Sequence, residues 1–95
     1  MSEEDEIEKT GLALLEYPNR FPLKVFGHPD TDFESVVVSL VRARCPEAEH
    51  IEISRRGSRA GKYLALTLTF TVYTQQQLEE IYQDLHECEQ VVMTL

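Results

Sequence analysis

The stretch that decides the fold runs from Tyr63 to Leu85 and reads YLALTLTFTVYTQQQLEEIYQDL. Up to Tyr73 its apolar and mixed residues alternate with a period of two, which is typical of a β-strand with one buried and one wetter face. Thr74 and Gln77 then form a capping box, in which their side chains accept hydrogen bonds from backbone N–H groups that would otherwise be unpaired. A helix is therefore predicted to begin there. The apolar stripe of that helix comprises Leu78, Ile81, Tyr82 and Leu85.

The same strand and helix pattern occurs earlier in the chain. A short strand is predicted at Leu23–Phe26, while Pro22 and the residues before it form a connector. Thr31 and Glu34 make another capping box, which predicts a helix that ends near Cys45. The apolar stripe of this first helix comprises Phe33, Val36, Val37, Leu40 and Val41.

Two further strands complete the pattern. Ile51–Ser54 is predicted as a short half-buried strand, followed by a polar hairpin loop that contains Gly57 and Gly61, and Val91–Leu95 is predicted as the last strand. The order β-α-β-β-α-β predicts an α+β, ferredoxin-like sandwich. Its four-stranded antiparallel sheet has the strand order 4-1-3-2, with two helices on one face.

Length and composition fit one small domain. The chain has 95 residues, 42% of them apolar, and a formal net charge of −8. Residues 1–10 are predicted to be an acidic, disordered tail and residues 11–95 a single domain. No run approaches the roughly 18 apolar residues that a membrane span needs, and the start lacks the basic and apolar regions of a signal peptide, so we expect a cytoplasmic protein with no membrane contact.

The sequence argues against catalysis and against a resident metal or cofactor. Ser, Cys and His are scattered, with no spacing typical of a nucleophile and its base. Cys45, His86 and Cys88 are expected near the helix C-termini, where a metal site is conceivable, but no Cys-x-x-Cys pair supports one. We therefore predict no enzyme activity, no metal and no cofactor.

The acidic charge also argues against nucleic acid as a general partner, because such binding depends on Lys and Arg displacing counterions from phosphates. An RNA-binding module stays open as an alternative, since modules of this fold stack bases on aromatic side chains of the sheet. The exposed face offers Phe26 and Tyr63, but mostly threonine, which is a poor stacking platform.

The bases suggest a binding site. The topology is expected to bring both helix C-termini and the central hairpin to one end of the sandwich, with seven of the nine bases. These are Arg20, Arg42, Arg44, Arg55, Arg56, Arg59 and Lys62. Because guanidinium groups offer forked donors to phosphate and carboxylate, the hairpin bases Arg55, Arg56, Arg59 and Lys62 are predicted to bind a small anionic ligand or a protein partner. The alternative is a solvated surface whose cations complement the helix dipoles.

Gly27 and His28 complete the predicted ligand site. They lie at the first junction between strand and helix, where the backbone N–H groups of the helix start can receive an anion. The alternative is a turn that needs glycine for its backbone geometry.

The chain resembles the YbeD-like family of small conserved uncharacterised bacterial proteins, from about Leu14 to Leu95. The resemblance rests on Leu14–Pro18, Phe21–Gly27, Ser58–Tyr63, Leu78–Tyr82 with Asp84-Leu85, and Val91–Leu95. It implies a ferredoxin-like fold akin to ACT regulatory domains, which bind amino acids or other small molecules and pair through their sheets. It also implies a loose association with lipoate-attachment enzymes. The acidic start, Cys45 and Cys88 are not part of the family pattern.

The sequence therefore favours two classes of function. The first is a noncatalytic regulatory or adaptor domain that binds a small ligand or a protein partner. The second is a module for protein interaction or homodimer formation, in which the edge strand at Ile51–Ser54 or at Val91–Leu95 pairs with another sheet.

Overall fold

The computed structural model describes residues 15–29 and 32–95 of the chain. Within them, strands and helices follow the predicted order β-α-β-β-α-β. The elements are β1 (Asn19–Gly27), α1 (Phe33–Arg44), β2 (Glu52–Gly57), β3 (Leu64–Val72), α2 (Gln75–His86) and β4 (Val91–Thr94). The predicted acidic tail, residues 1–10, lies outside the described residues.

The strands form one antiparallel sheet in the order β2-β3-β1-β4. This is the predicted order 4-1-3-2, viewed from the opposite edge, and the α+β prediction is confirmed. β1 pairs with β3 along its whole length, from Asn19 opposite Val72 to Gly27 opposite Leu64. β4 is short and pairs with β1 only at Val25–Gly27 and through a bond from the Leu95 N–H to the Lys24 carbonyl.

The core lies between the sheet and the two helices, as the periodicities predict. On β3 the even-numbered residues from Leu66 to Val72 are buried, while the odd-numbered residues from Ala65 to Thr71 lie half-buried on the other face. Each helix contributes one apolar stripe to this core. The buried stripe residues are Phe33, Val37 and Val41 on α1 and Leu78, Ile81 and Leu85 on α2.

Two strands are longer than predicted. β1 begins at Asn19 and runs through Pro22, where β4 has not yet begun to pair. β1 is therefore an edge strand at that point, and an edge strand tolerates a residue that lacks an N–H. β2 includes Arg55 and Arg56, which the sequence assigned to the hairpin loop. Charged residues are suited to β2 because it lies at the edge of the sheet.

The capping box at the start of α2 is confirmed. The Thr74 side chain accepts a hydrogen bond from the Gln77 N–H at 3.1 Å. The Gln77 side chain accepts in return from the N–H of Tyr73 at 2.9 Å, one residue before the cap.

The capping box predicted for α1 involves Thr31, which lies outside the described residues, so it stays a prediction. The cap residue is Asp32, which makes no side-chain cap bond. The Glu34 carboxylate accepts two hydrogen bonds from Arg55 of β2, at 2.6 Å each. The predicted helix is present, with Phe33 as its first residue.

The two helices run in opposite directions, which corrects the prediction that their C-termini share one end. α1 starts where β1 ends, and α2 starts where β3 ends; β1 and β3 are antiparallel. The end of α1 therefore lies beside the start of α2, where the Gln77 amide donates to the Glu47 carboxylate at 3.2 and 3.3 Å.

An ion pair joins the helices. The Arg44 guanidinium donates to both carboxylate oxygens of Asp84, at 2.7 and 3.0 Å, and approaches Glu80 at 3.4 Å. The hydrogen bond from Arg44 is the main cause that lowers the pKa of Asp84 from its ordinary value of 3.8.

We expect the Asp84→Asn variant to be less stable than the wild type at neutral pH. Because the folded pKa of Asp84 is lowered, the pair stabilises the protein fully above pH 3.8, and this stabilisation is lost as the pH falls through the folded pKa. Urea unfolding of both proteins between pH 7 and pH 2 measures this. The difference in unfolding free energy should shrink below about pH 4. A difference that stays constant would contradict it, and Glu89→Gln, which changes an exposed carboxylate, is the control.

Candidate functional site

The predicted site residues lie at the end of the sandwich where β1 stops, α1 starts and the β2–β3 turn projects. We call this the hairpin end and define it by Gly27–Pro29, the start of α1 and the turn Ser58–Tyr63. The expected gathering of seven bases at one end is wrong. Because α1 runs away from the hairpin, Arg42 and Arg44 lie at the opposite end, together with Arg20 at the start of β1.

The β2–β3 turn is ordered by Ser58. The Ser58 hydroxyl accepts hydrogen bonds from the backbone N–H groups of Lys62, at 2.9 Å, and Tyr63, at 3.1 Å. Gly61 has a φ of +70°, a left-handed conformation that glycine adopts without strain. These bonds fix the backbone from which Lys62 and Tyr63 project.

An open depression of about 440 Å³ adjoins this turn. It is lined by His28, Pro29, Gly61, Lys62 and Tyr63. The His28 and Tyr63 rings lie on it with their centroids 6.3 Å apart and their planes tilted by 40°. The structure thus brings the predicted residues His28 and Lys62, which are 34 positions apart, to one surface.

Gly27, another predicted ligand residue, has a packing role. It is buried, and a Cβ atom built on it would overlap the Phe33 ring, which is itself fully buried. Its φ is not positive, so the backbone conformation does not require glycine. Glycine fits here because β1 and the Phe33 ring approach each other closely, while a ligand contact of Gly27 stays a prediction.

Arg55, also a predicted ligand residue, forms an ion pair within the fold. Its two bonds to Glu34 tie β2 to the first turn of α1. The side-chain hydrogen bond raises the pKa of Arg55 and lowers that of Glu34. Asp32 and Glu34 also place two carboxylates at the α1 start, which makes this helix end a poor receiver for a further anion.

Three predicted bases at the hairpin end are exposed and make no ion pair within the described residues. They are Arg56, Arg59 and Lys62. By contrast, Arg20, Arg44 and Arg55 each pair with a carboxylate. The hairpin end therefore carries three cations without ion-pair partners among the described residues, beside the Asp32 carboxylate, in a chain whose net charge is −8.

Tyr63 and Phe26 were noted in the sequence only as weak candidates for base stacking. Tyr63 is 42% exposed and Phe26 is half-buried. Both line a second depression, on the sheet face that the helices leave uncovered, so the site has an aromatic part. Side-chain alternation along β1 and β3 places Phe26 and Tyr63 on this face. Their meeting at one depression depends in addition on the geometry of the β2–β3 turn.

The two sheet edges differ. The outer strand β2 carries Arg55 and Arg56, whereas β4 has no charged residue. Val92, Met93 and Leu95 are 46%, 49% and 64% exposed. Pairing with another sheet stays a prediction, and the uncharged edge favours β4 over β2.

The two thiols lie at opposite ends of the sandwich. Cys45 follows the end of α1, and Cys88 follows the end of α2 near the start of β4. Burial raises the pKa of the Cys45 thiol to about 11, with the Glu47 charge as a second cause. Among residues 15–29 and 32–95, no cluster of three or more His, Cys, Asp or Glu side chains is arranged to hold a metal ion.

The fold and the site define a small two-layer α+β domain with an exposed cationic surface at one end. Neither helix in the described part of the chain has the length and apolar character of a membrane span. Residues 13–95 match the family model described as "Protein of unknown function (DUF493)", and the chain belongs to this family. The resemblance to YbeD-like conserved bacterial proteins is thereby confirmed.

Known relatives cover nearly the whole chain. A UPF0250 protein of Nitrosomonas europaea is 37% identical over 83 residues, which are 87% of this chain and 95% of the relative. A UPF0250 protein of Chromobacterium violaceum is 38% identical over 82 residues, 86% and 92% of the two chains. The solution structure of protein HP0495 from H. pylori matches with a TM-score of 0.69 at 20% identity, over 85% of each chain, and supports the fold.

Proposed function

We propose that this chain is a noncatalytic regulatory or adaptor domain that acts in the cytosol and binds a small anionic ligand at the hairpin end. The supporting observation is that Lys62 lines a depression of about 440 Å³. Arg56 and Arg59 belong to the same hairpin, and all three bases lack ion-pair partners in the described part of the chain. Positive side chains fixed beside a concave surface attract phosphate or carboxylate groups.

The turn supports this function because it fixes the backbone from which the Lys62 side chain projects. Ser58 holds the backbone N–H groups of Lys62 and Tyr63, so less backbone freedom is lost when a ligand binds. The His28 ring contributes a further polar group to the same depression. Of the six predicted ligand residues, His28, Arg56, Arg59 and Lys62 belong to the proposed site, while Gly27 and Arg55 support it.

Inorganic pyrophosphate, a compact polyanion, tests the site. We expect its addition to shift the backbone amide signals of His28 and of residues 59–63 in an ¹⁵N-labelled sample. The signals of Arg42 and its neighbours at the opposite end should stay unchanged. Binding should weaken as salt is added, because exposed charges are screened. If the shifts are absent, or are equal at both ends, the proposal is wrong.

A further inference from the structure

A second depression adjoins the proposed anion site. Its volume is about 220 Å³, and it opens on the sheet face opposite the helices. It is lined by Phe26, Arg56, Gly57, Ser58, Tyr63 and Ala65. Tyr63 lines both depressions, so the two are neighbours on the surface.

Strand register explains the shape of this second depression. Arg56, Ala65 and Phe26 lie side by side in one row across β2, β3 and β1. Ala65 has only a methyl group, so the sheet surface is low between its two larger neighbours. The row is continued by the exposed Met93 on β4.

The chemistry of this row suits a flat ring. Phe26 and Tyr63 provide aromatic surfaces, on which planar groups stack. A guanidinium such as that of Arg56 stacks on rings and also pairs with anions. No ion pair within the described residues holds Arg56 away from the depression.

We propose that the hairpin end binds an aromatic anion, such as a mononucleotide. Its ring lies over Ala65 between Phe26, Tyr63 and Arg56, and its anionic group contacts Lys62. The proposal rests on the proposed anion site and names its ligand class. An anionic ring is chosen as the ligand because of charge complementarity. The aromatic surface adjoins Arg56 and Lys62, two cations that lack an ion-pair partner within the described residues.

Titrations with adenosine 5′-monophosphate, phenyl phosphate, adenosine and inorganic phosphate test this on the full chain by amide chemical shifts. We expect the two aromatic phosphates to shift the amide signals of Phe26, Ala65 and Lys62. Inorganic phosphate should shift only the amide signals around Lys62. Stacking is worth about 1–3 kcal/mol per base, so adenosine 5′-monophosphate should bind between about fivefold and about 150-fold more tightly than phosphate.

Two variants of β3 separate the subsites. Ala65→Leu fills the low point of the row. It should abolish the higher affinity for adenosine 5′-monophosphate over phosphate, while phosphate itself still binds. Thr67→Leu is the matched control, because it adds the same side chain on the same face of β3 outside the depression. Thr67→Leu should keep the higher affinity for adenosine 5′-monophosphate. Amide spectra without ligand verify that both variants are folded.

The outcomes distinguish the two proposals. If both aromatic phosphates bind no more tightly than phosphate, the aromatic subsite is wrong and the anion site stands. If no phosphate compound binds, both proposals are wrong. A single-stranded oligonucleotide that competes with adenosine 5′-monophosphate and also shifts Thr67, Thr69 and Thr71 would overturn the small-ligand assignment in favour of a nucleic-acid surface.

Discussion

The Gly27→Ala variant is expected to unfold at a lower urea concentration, with a loss of about 1–3 kcal/mol of stability from overpacking. The added Cβ would overlap the ring of Phe33, the first residue of α1, which is fully buried. Ala is compatible with the backbone at this position, since its φ is not positive. The loss therefore arises from packing.

A second substitution tests this cause. Phe33→Leu replaces the ring by a smaller side chain, so the Gly27→Ala/Phe33→Leu double variant should lose less stability than the sum of the two single changes. Pyrophosphate binding by the folded Gly27→Ala protein should remain, because Gly27 is buried. Unchanged stability with lost binding would show instead that Gly27 belongs to the ligand site.

The Phe70→Ala variant is expected to lose about 3–5 kcal/mol, the largest effect that we predict for one side chain. Phe70 lies on the central strand β3, opposite Phe21 of β1, and is fully buried beneath the helices. Because small domains have only about 5–15 kcal/mol of stability, this variant should be close to unfolding. Urea denaturation at low temperature measures the loss.

Thr69→Ala provides the matched control for Phe70→Ala. Thr69 precedes Phe70 on β3 and points to the uncovered face, so its removal should change stability by about 1 kcal/mol or less. Equal losses for the two variants would contradict the assignment of buried and uncovered faces.

The fold could be predicted because local signals agree with the tertiary structure. The alternation along β3 and the Thr74–Gln77 cap are properties of neighbouring residues, and both recur in the structure. The bounds of β1 and β2 were less predictable. Pro22, Arg55 and Arg56 disfavour a central strand, yet they are accommodated because β2 and this part of β1 are edges.

The candidate site could be predicted only in part, because ion pairs depend on which residues the fold brings together. Arg55 and Arg56 are adjacent and look equivalent in the sequence. Strand alternation points Arg55 toward Glu34 on α1 and Arg56 to the uncovered face, so one is paired while the other lines the second depression. The error about the helix C-termini had the same origin, since it concerned the relative direction of distant elements.

The most direct test of the anion site compares charge removal at the two ends of the sandwich. Lys62→Gln and Arg42→Gln each remove one exposed cation and leave the same net charge, but only Lys62 lies at the hairpin end. Pyrophosphate affinity, measured by calorimetry at low salt, should fall roughly tenfold or more in Lys62→Gln, since hydrogen bonds to charged groups are worth about 1.5–3 kcal/mol. It should stay near the wild-type value in Arg42→Gln. Equal affinities in the two variants would contradict a binding site at the hairpin end.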